Sequence, residues 1–312
     1  MRCFVTGGTG LIGSHLVQLL LEDDNEVSVL MRSKSNPWRI KDVLHSLHII
    51  TGDLAAIEEA GPAIREFSPE VVFHLGWQGV SGRYRNDPGQ VTQNLYGSLK
   101  LLELAHEAGC RRWIGLGSQA EYGPCDGILT EDLPTRPVTL YGSAKLCVGL
   151  LSQKLCEAYG MGFTWLRLLA AYGPTDDQEH MIPYVILTLL RGQKASLTRG
   201  EQRWDYLYVE DAARAIWQAA INPAAKGIFN LGSGEAHTVR SIVERIRDLI
   251  DPRLPLGFGE VPYHPDQIMH LQADISRLQQ ATGWSPQVSL GEGLGRTVEW
   301  FRENRRLYEE QH

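Results

Sequence analysis

Glycines at positions 7, 10 and 13 stand directly between an apolar run, Cys3-Phe4-Val5, and an amphipathic stretch, Leu11–Glu22. The run reads as a β-strand and the stretch as an α-helix, so Thr6-Gly7-Gly8-Thr9-Gly10-Leu11-Ile12-Gly13 forms the turn that joins them. Glycines there allow a tight turn and leave the first amides of the helix open to an anion. The helix dipole favours negative charge at that point, and a dinucleotide pyrophosphate suits such a turn. Gly7, Gly10, Leu11, Ile12 and Gly13 are therefore the expected pyrophosphate contacts, with an ordinary glycine turn as the plainer alternative.

The rest of the first half alternates in the same way. Val27–Met31, His48–Thr51, Val71–Leu75, Trp113–Leu116 and Thr164–Leu168 read as strands. Helices are expected near Ile57–Phe67, from Asp87-Pro88 to Glu107 with a stop at Ala108-Gly109, and over Tyr141–Tyr159. Such alternation predicts an α/β protein, a Rossmann doubly wound parallel sheet covered on both faces. Beyond Tyr172-Gly173-Pro174 the pattern loosens into helices near Ile182–Leu190, Val209–Ile221 and Val239–Leu249, with short strands at Tyr206–Val209 and Ile228–Leu231. The expected division is a dinucleotide-binding domain over 1–171 with parts of 204–232. A smaller mixed substrate-binding domain would take 172–203 and 233–312.

Composition excludes several other classes. The 312 residues are 43% hydrophobic and 21% charged, with a net charge of −7, which gives no basic surface for nucleic acid or anionic lipid. The five cysteines form no CxxC pair and the ten histidines no HxxxH or HExxH spacing, so no metal site is expected. The apolar run at Val185–Leu190 is too short to span a bilayer, and a strand at Arg2–Thr6 leaves no room for a signal peptide. A reducing, cytoplasmic setting is the resulting expectation.

The end of the second strand, Leu30-Met31-Arg32-Ser33-Lys34, has no carboxylate for the ribose hydroxyls of NAD(H). Arg32 and Ser33 either grip the 2′-phosphate of NADP(H) or stand as solvated surface residues. NADP(H) is thus the expected cofactor and NAD(H) the alternative. Asp53, in Gly52-Asp53-Leu54, either bonds the adenine amino group or starts a helix.

Tyr141-Gly142-Ser143-Ala144-Lys145 places a phenol and an ammonium four residues apart, on one face of a helix. A nearby cation favours phenolate, which makes the phenol useful as an acid or base. Ser118 ends the preceding strand, where ligand-facing loops emerge from an open α/β sheet. These three are the expected catalytic residues.

Taken together, TGGTGLIG, GDL at 52–54, HLGW at 74–77, GSQAEYG at 117–123, YGSAK at 141–145, YGP at 172–174, WDYLYVEDAA at 204–213 and GWSP at 283–286 resemble one family. It is the extended short-chain dehydrogenase/reductases that act as nucleotide-sugar epimerases, dehydratases and 4-ketoreductases. The resemblance implies that Tyr141 moves a proton, that Lys145 binds the nicotinamide ribose, and that Ser118 bonds the reacting oxygen. It implies cofactor contacts at Leu54 and Leu75, a structural Asn94, a nucleotide-sugar substrate, and a homodimer through the helices near 90–107 and 141–159. Departures narrow the reaction. Gln119 and Ala120 replace the Asp-Glu pair of the 4,6-dehydratases, Ala170-Ala171 replaces an asparagine, and Trp204 replaces an arginine. An arginine expected near position 262 is missing from Pro262-Tyr263-His264-Pro265-Asp266. Trp77, Gln119, His180 and Arg203 are the expected substrate contacts, Arg203 for a diphosphate; for Trp77, packing in the core is an equal alternative. The expected reaction is NADPH-dependent reduction of a 4-keto sugar nucleotide, with an NAD-dependent 4-epimerase or a reductase of non-sugar ketones as alternatives.

Overall fold

A computed structural model describes residues 1–264 and 267–309. In chain order it begins β1 (Arg2–Thr6), α1 (Leu11–Glu22), β2 (Glu26–Met31), β3 (His48–Thr51), α2 (Gly61–Phe67) and β4 (Val71–His74). It continues α3 (Tyr96–Glu107), β5 (Arg112–Ser118), β6 (Gly127–Leu129), α4 (Leu140–Tyr159), β7 (Gly162–Leu168) and β8 (Ala171–Tyr172). Next come α5 (Met181–Leu190), β9 (Ala195–Leu197), β10 (Arg203–Asp205), β11 (Leu207–Tyr208), α6 (Val209–Ile221) and β12 (Gly227–Leu231). The remainder is β13 (Ala236–Thr238), α7 (Val239–Ile250), β14 (Leu256–Phe258), β15 (His270–Ala273), α8 (Ser276–Thr282), α9 (Leu290–Asn304) and α10 (Arg306–Glu309).

Seven strands form one sheet in the order β12-β7-β5-β4-β1-β2-β3, every neighbouring pair parallel. The central strands are buried on both faces; Cys3, Phe4 and Val5 have no exposed surface. That is why they are continuous apolar runs rather than alternating ones. Helix α1 turns Leu16, Val17 and Leu20 to this core, and α6 packs beside it through Ala212, Ala215, Ile216 and Ala219. Helices α3 and α4 close the opposite face with Leu101, Leu102, Val148 and Cys156. Thr139 starts α4 by accepting the Gly142 amide at 3.1 Å, and Gly160 ends it in the left-handed region.

A second sheet runs β13-β10-β15-β6, so Gly127–Leu129 pairs with β15 rather than with the main sheet. Against the parallel pair β9–β14, α5, α7 and α9 share a separate core that includes Ile186, Ile242, Val243, Leu294 and Phe301. The helix expected from Asp87 is not uniform: residues Gln90–Leu95 wind as a π-helix before α3 begins. Within it Asn94 bonds to the backbone of the loop at Gln78, and such single π-turns are frequent at functional sites. Because the seven strands are parallel, their carboxyl ends gather the glycine turn, Arg32, Leu75–Trp77, Ser118 and Ala170 along one edge. No helix among the described residues is long and apolar enough to cross a membrane.

Candidate functional site

The glycine turn is built tightly around its own backbone. Gly7 has φ +74°, and a Cβ there would lie 2.7 Å from the Gly76 amide nitrogen. A Cβ on Gly13 would collide with the Gly7 carbonyl oxygen. Gly10 caps α1 without any side-chain acceptor, and no acidic residue sits in the first turn, where Leu11 and Ile12 are half-buried. This cradle of helix amides with no anion of its own fits a dinucleotide pyrophosphate.

Beside it the loop after β2 carries Arg32, Ser33 and Lys34, all exposed. Among the described residues neither Arg32 nor Lys34 is ion-paired or hydrogen-bonded through its side chain. Asp53 starts a 3₁₀ turn over Leu54–Ala60 by accepting the Ala55 amide at 3.1 Å, which matches the helix-start reading of that residue. The Leu54 carbonyl packs against Gly97 of α3, and the Leu75 amide continues the β1–β4 ladder onto Thr6 O.

Below these loops lies a chain of buried hydrogen bonds. Ser98 Oγ donates to Asn94 O at 2.6 Å, so it accepts from His74 Nε2 at 2.8 Å. His74 Nδ1 is then the acceptor for Thr6 Oγ1 at 2.9 Å, and Thr6 Oγ1 accepts the Gly76 amide at 3.0 Å. Burial pulls His74 down to about 3, which keeps it neutral in this tautomer. Asn94 pairs with both the amide and the carbonyl of Gln78, at 2.9 and 2.8 Å, and so fixes the segment that carries Trp77.

Ser118 at the end of β5 and Tyr141 and Lys145 on α4 come together here, with Tyr141 and Lys145 6% and 3% exposed. Burial raises the Tyr141 phenol above its usual range; a hydrogen bond from Ser118 and the charge of Arg85 pull it down, and Glu121 pushes it up. Burial therefore outweighs the lowering by Ser118 and Arg85, and the neighbouring ammonium does not bring the phenol below its usual range. Lys145 Nζ donates to Leu116 O at 2.7 Å and lies 3.9 Å from the centre of the Trp77 ring. Burial takes its proton affinity from 10.5 to about 7, and Glu121 opposes the fall. Trp77 is half-buried, donates from Nε1 to Gln90 Oε1 at 2.7 Å, and stands edge-on to Tyr141 at 6.1 Å.

The other expected contacts are more scattered. Gln119 is half-buried in the turn after Ser118. His180 is exposed at the start of α5, and its Nδ1 pairs with the buried Asp176 at 2.8 Å, a hydrogen bond that raises its proton affinity. Arg203 and Trp204 are successive residues of β10 and so point to opposite faces. The Arg203 guanidinium donates to Ala236 O at 2.9 Å, whereas Trp204 stacks on Tyr206 and donates to Ile268 O at 3.2 Å. Tyr263 bonds to Glu201, and Pro265 and Asp266 lie outside the described residues.

Residues 3–232 match the NAD dependent epimerase/dehydratase family. The chain belongs to this family. It is 30% identical to the UDP-glucose 4-epimerase of Mycolicibacterium smegmatis over 97% of this chain and 99% of that one. The Thermotoga maritima UDP-glucose 4-epimerase, solved with UDP-glucose, superposes with a TM-score of 0.90 at 28% identity, covering 98% of this chain and 100% of that one. The Thermus thermophilus UDP-glucose 4-epimerase, solved with NAD, gives 0.87 at 28% identity over 97% and 100%.

Two residues beside these loops were not singled out from the sequence. Glu121 lies under Ser118 and accepts its amide at 2.9 Å; the spacing Ser118-x-x-Glu121 is the capping-box signature and was there to be read. Arg39 reaches from a 3₁₀ segment to Thr9 O at 3.3 Å and Thr175 O at 2.8 Å, tying the glycine turn to the segment after Pro174. No local motif announces a contact across 136 residues.

Proposed function

We propose that this enzyme reduces the 4-keto group of a nucleotide-linked 6-deoxysugar with NADPH. The observation that carries the reading is the meeting of the half-buried Ser118 with the buried Tyr141 and Lys145 at the strand edge beside an anion-ready helix terminus. The cofactor supplies the hydride when bound. Ser118 and Tyr141 donate hydrogen bonds to the carbonyl oxygen, Tyr141 gives up the proton, and Lys145 turns from Leu116 O to the ribose hydroxyls. Gly7, Gly10, Leu11, Ile12 and Gly13 hold the pyrophosphate, with Asp53, Leu54 and Leu75 lining the rest of the cofactor's path. The cations at Arg32 and Lys34, with Ser33 between them and no carboxylate in the segment that ends β2, favour a 2′-phosphate. Gln119 and Ala120 offer no acid–base pair for eliminating water. Trp77 and Gln119 wall the sugar, and His180 and Arg203 serve the phosphates, Arg203 by leaving the Ala236 carbonyl. The reading includes a homodimer across α3 and α4 and a cytoplasmic setting, in keeping with five free cysteines.

A second reading, 4-epimerisation with retained NAD, is favoured by the full-length similarity to UDP-glucose 4-epimerases. The deciding assay supplies a 4-keto-6-deoxy sugar nucleotide with NADPH and follows the reduced-nicotinamide absorbance. Stoichiometric oxidation of NADPH is the expected result. Interconversion of two 4-hydroxy sugar nucleotides without net cofactor use would replace the first reading with the second.

A further inference from the structure

Glu121 has no exposed surface, yet it is a carboxylate in the floor of the site. Its Oε1 accepts the Ser118 amide at 2.9 Å and the Trp165 indole N–H at 2.9 Å. Its Oε2 accepts Arg167 Nε at 2.7 Å, in an ion pair whose side chains are 0% and 4% exposed. Space has been cleared for this group. A Cβ on Gly117 would run into both Glu121 Oε1 and Trp165 Nε1, and one on Gly115 or Gly149 would run into the same indole. Arg167 is held in turn over the Tyr122 ring at 4.7 Å, and Tyr122 donates to Asn230 Oδ1 at 2.6 Å. Apolar side chains of similar volume usually fill such a space without loss of stability, so stability alone does not account for the pair.

We propose that Glu121, paired with Arg167, is a positioning residue of the site, fixing the Ser118 turn through its amide and supplying the counter-charge to Lys145. The proposal rests on the functional reading only for the roles given to Ser118 and Lys145. The charged and titratable groups around the ammonium come from several elements. Glu121 follows β5, Arg167 lies on β7, Tyr141 shares α4, and His74 at the end of β4 is held neutral by burial. Arg85 acts on Tyr141 from the loop before α3, and the rings of Trp77 and Trp165 lie 3.9 and 6.0 Å from Lys145 Nζ. Of these, Glu121 is the carboxylate that draws Lys145 towards the protonated form.

Trp77 provides a readout that needs no turnover, because an indole in contact with an ammonium changes its emission when the proton leaves. The signal is the fluorescence difference between each protein and its Trp77→Phe counterpart, followed across pH. In the unsubstituted enzyme the midpoint is expected near 7. In Glu121→Gln it falls by about one unit, a tenfold change in the protonation constant, and the alkaline limb of kcat falls with it. Glu121→Asp, which keeps the charge, restores most of the shift. A folded Glu121→Gln protein with an unmoved midpoint would overturn the proposal. Should that variant fail to fold, the double variant Glu121→Leu, Arg167→Met leaves neither charge of the pair buried alone; its midpoint falls by less, because the adjacent Arg167 cation is lost as well, and a midpoint unmoved or raised overturns the proposal. Failure of the double variant to fold would make the pair a requirement of the fold and also overturn the proposal. Absence of turnover in the unsubstituted enzyme would count against the functional reading instead, with the fluorescence titration still deciding the part played by Glu121.

Discussion

Lys145 illustrates how the site sets function against stability at a single residue. Its ammonium is 3% exposed, and burial lowers its proton affinity from 10.5 to about 7. Between those values the unfolded chain holds a proton that the folded protein has released. Stability therefore rises with pH across that window, is fully present above 10.5, and is lost as pH falls through 7. Lys145→Met keeps an apolar stem and removes the charge. It is expected to melt above the unsubstituted protein at about pH 6, with the gap closing towards alkaline pH and with turnover lost. A lower melting temperature at the acidic pH would show that the ammonium supports the fold. At the cofactor end, Arg32→Glu is expected to weaken NADP(H) by about tenfold or more while leaving NAD(H) nearly unchanged, as titration of the two would tell. Equal losses would make Arg32 a bystander. Ser118, Tyr141 and Lys145 were legible because their spacing on consecutive elements is itself the chemistry. Arg39 was not, since its contacts are made by the fold rather than by neighbours in sequence.

At the scale of elements, legibility followed burial. The inner strands of the seven-stranded sheet read from their own apolar runs because both of their faces are covered, whereas the edge strand β3 buries only Ile50. Strands β6, β13 and β15 are three or four residues long and take their pairing from partners far along the chain, so no local pattern marks them. The π-turn before α3 was not legible either: its Asn94 pairs with the backbone at Gln78, a contact outside its own segment. Two helices offer a matched test of the glycine argument. Gly13→Ala in α1 places a Cβ against the Gly7 carbonyl and is expected to cost cofactor affinity and stability together. Gly295→Ala in α9 meets nothing within 4 Å. There the gain in helix propensity should stabilise the protein by roughly 0.5–1 kcal/mol. Denaturant titration of both variants checks the contrast, and a neutral Gly13→Ala would contradict the account of the turn.

At the scale of the molecule, one face of α3 and α4 is left apolar and open. Tyr96 is 55% exposed, Leu150 48% and Leu151 45%, and Cys147 is exposed beside them. A second copy across this face is the expected cover, so the protein should sediment as a dimer and Leu150→Arg with Leu151→Arg as a monomer. A monomeric unsubstituted protein would remove the dimer from the account. The central claim concerns a hydride delivered to the sugar C4 and a proton delivered to its oxygen, and isotope transfer tests it most directly. NADPH deuterated at the transferable C4 position is incubated with a 4-keto-6-deoxy sugar nucleotide, and the product is read by mass and by proton resonance. The account predicts one deuterium at the sugar C4 for each NADPH consumed, with the rate lowered by about 10²–10⁴-fold in Tyr141→Phe. Deuterium retained on the cofactor, or a Tyr141→Phe enzyme as fast as the original, would contradict it.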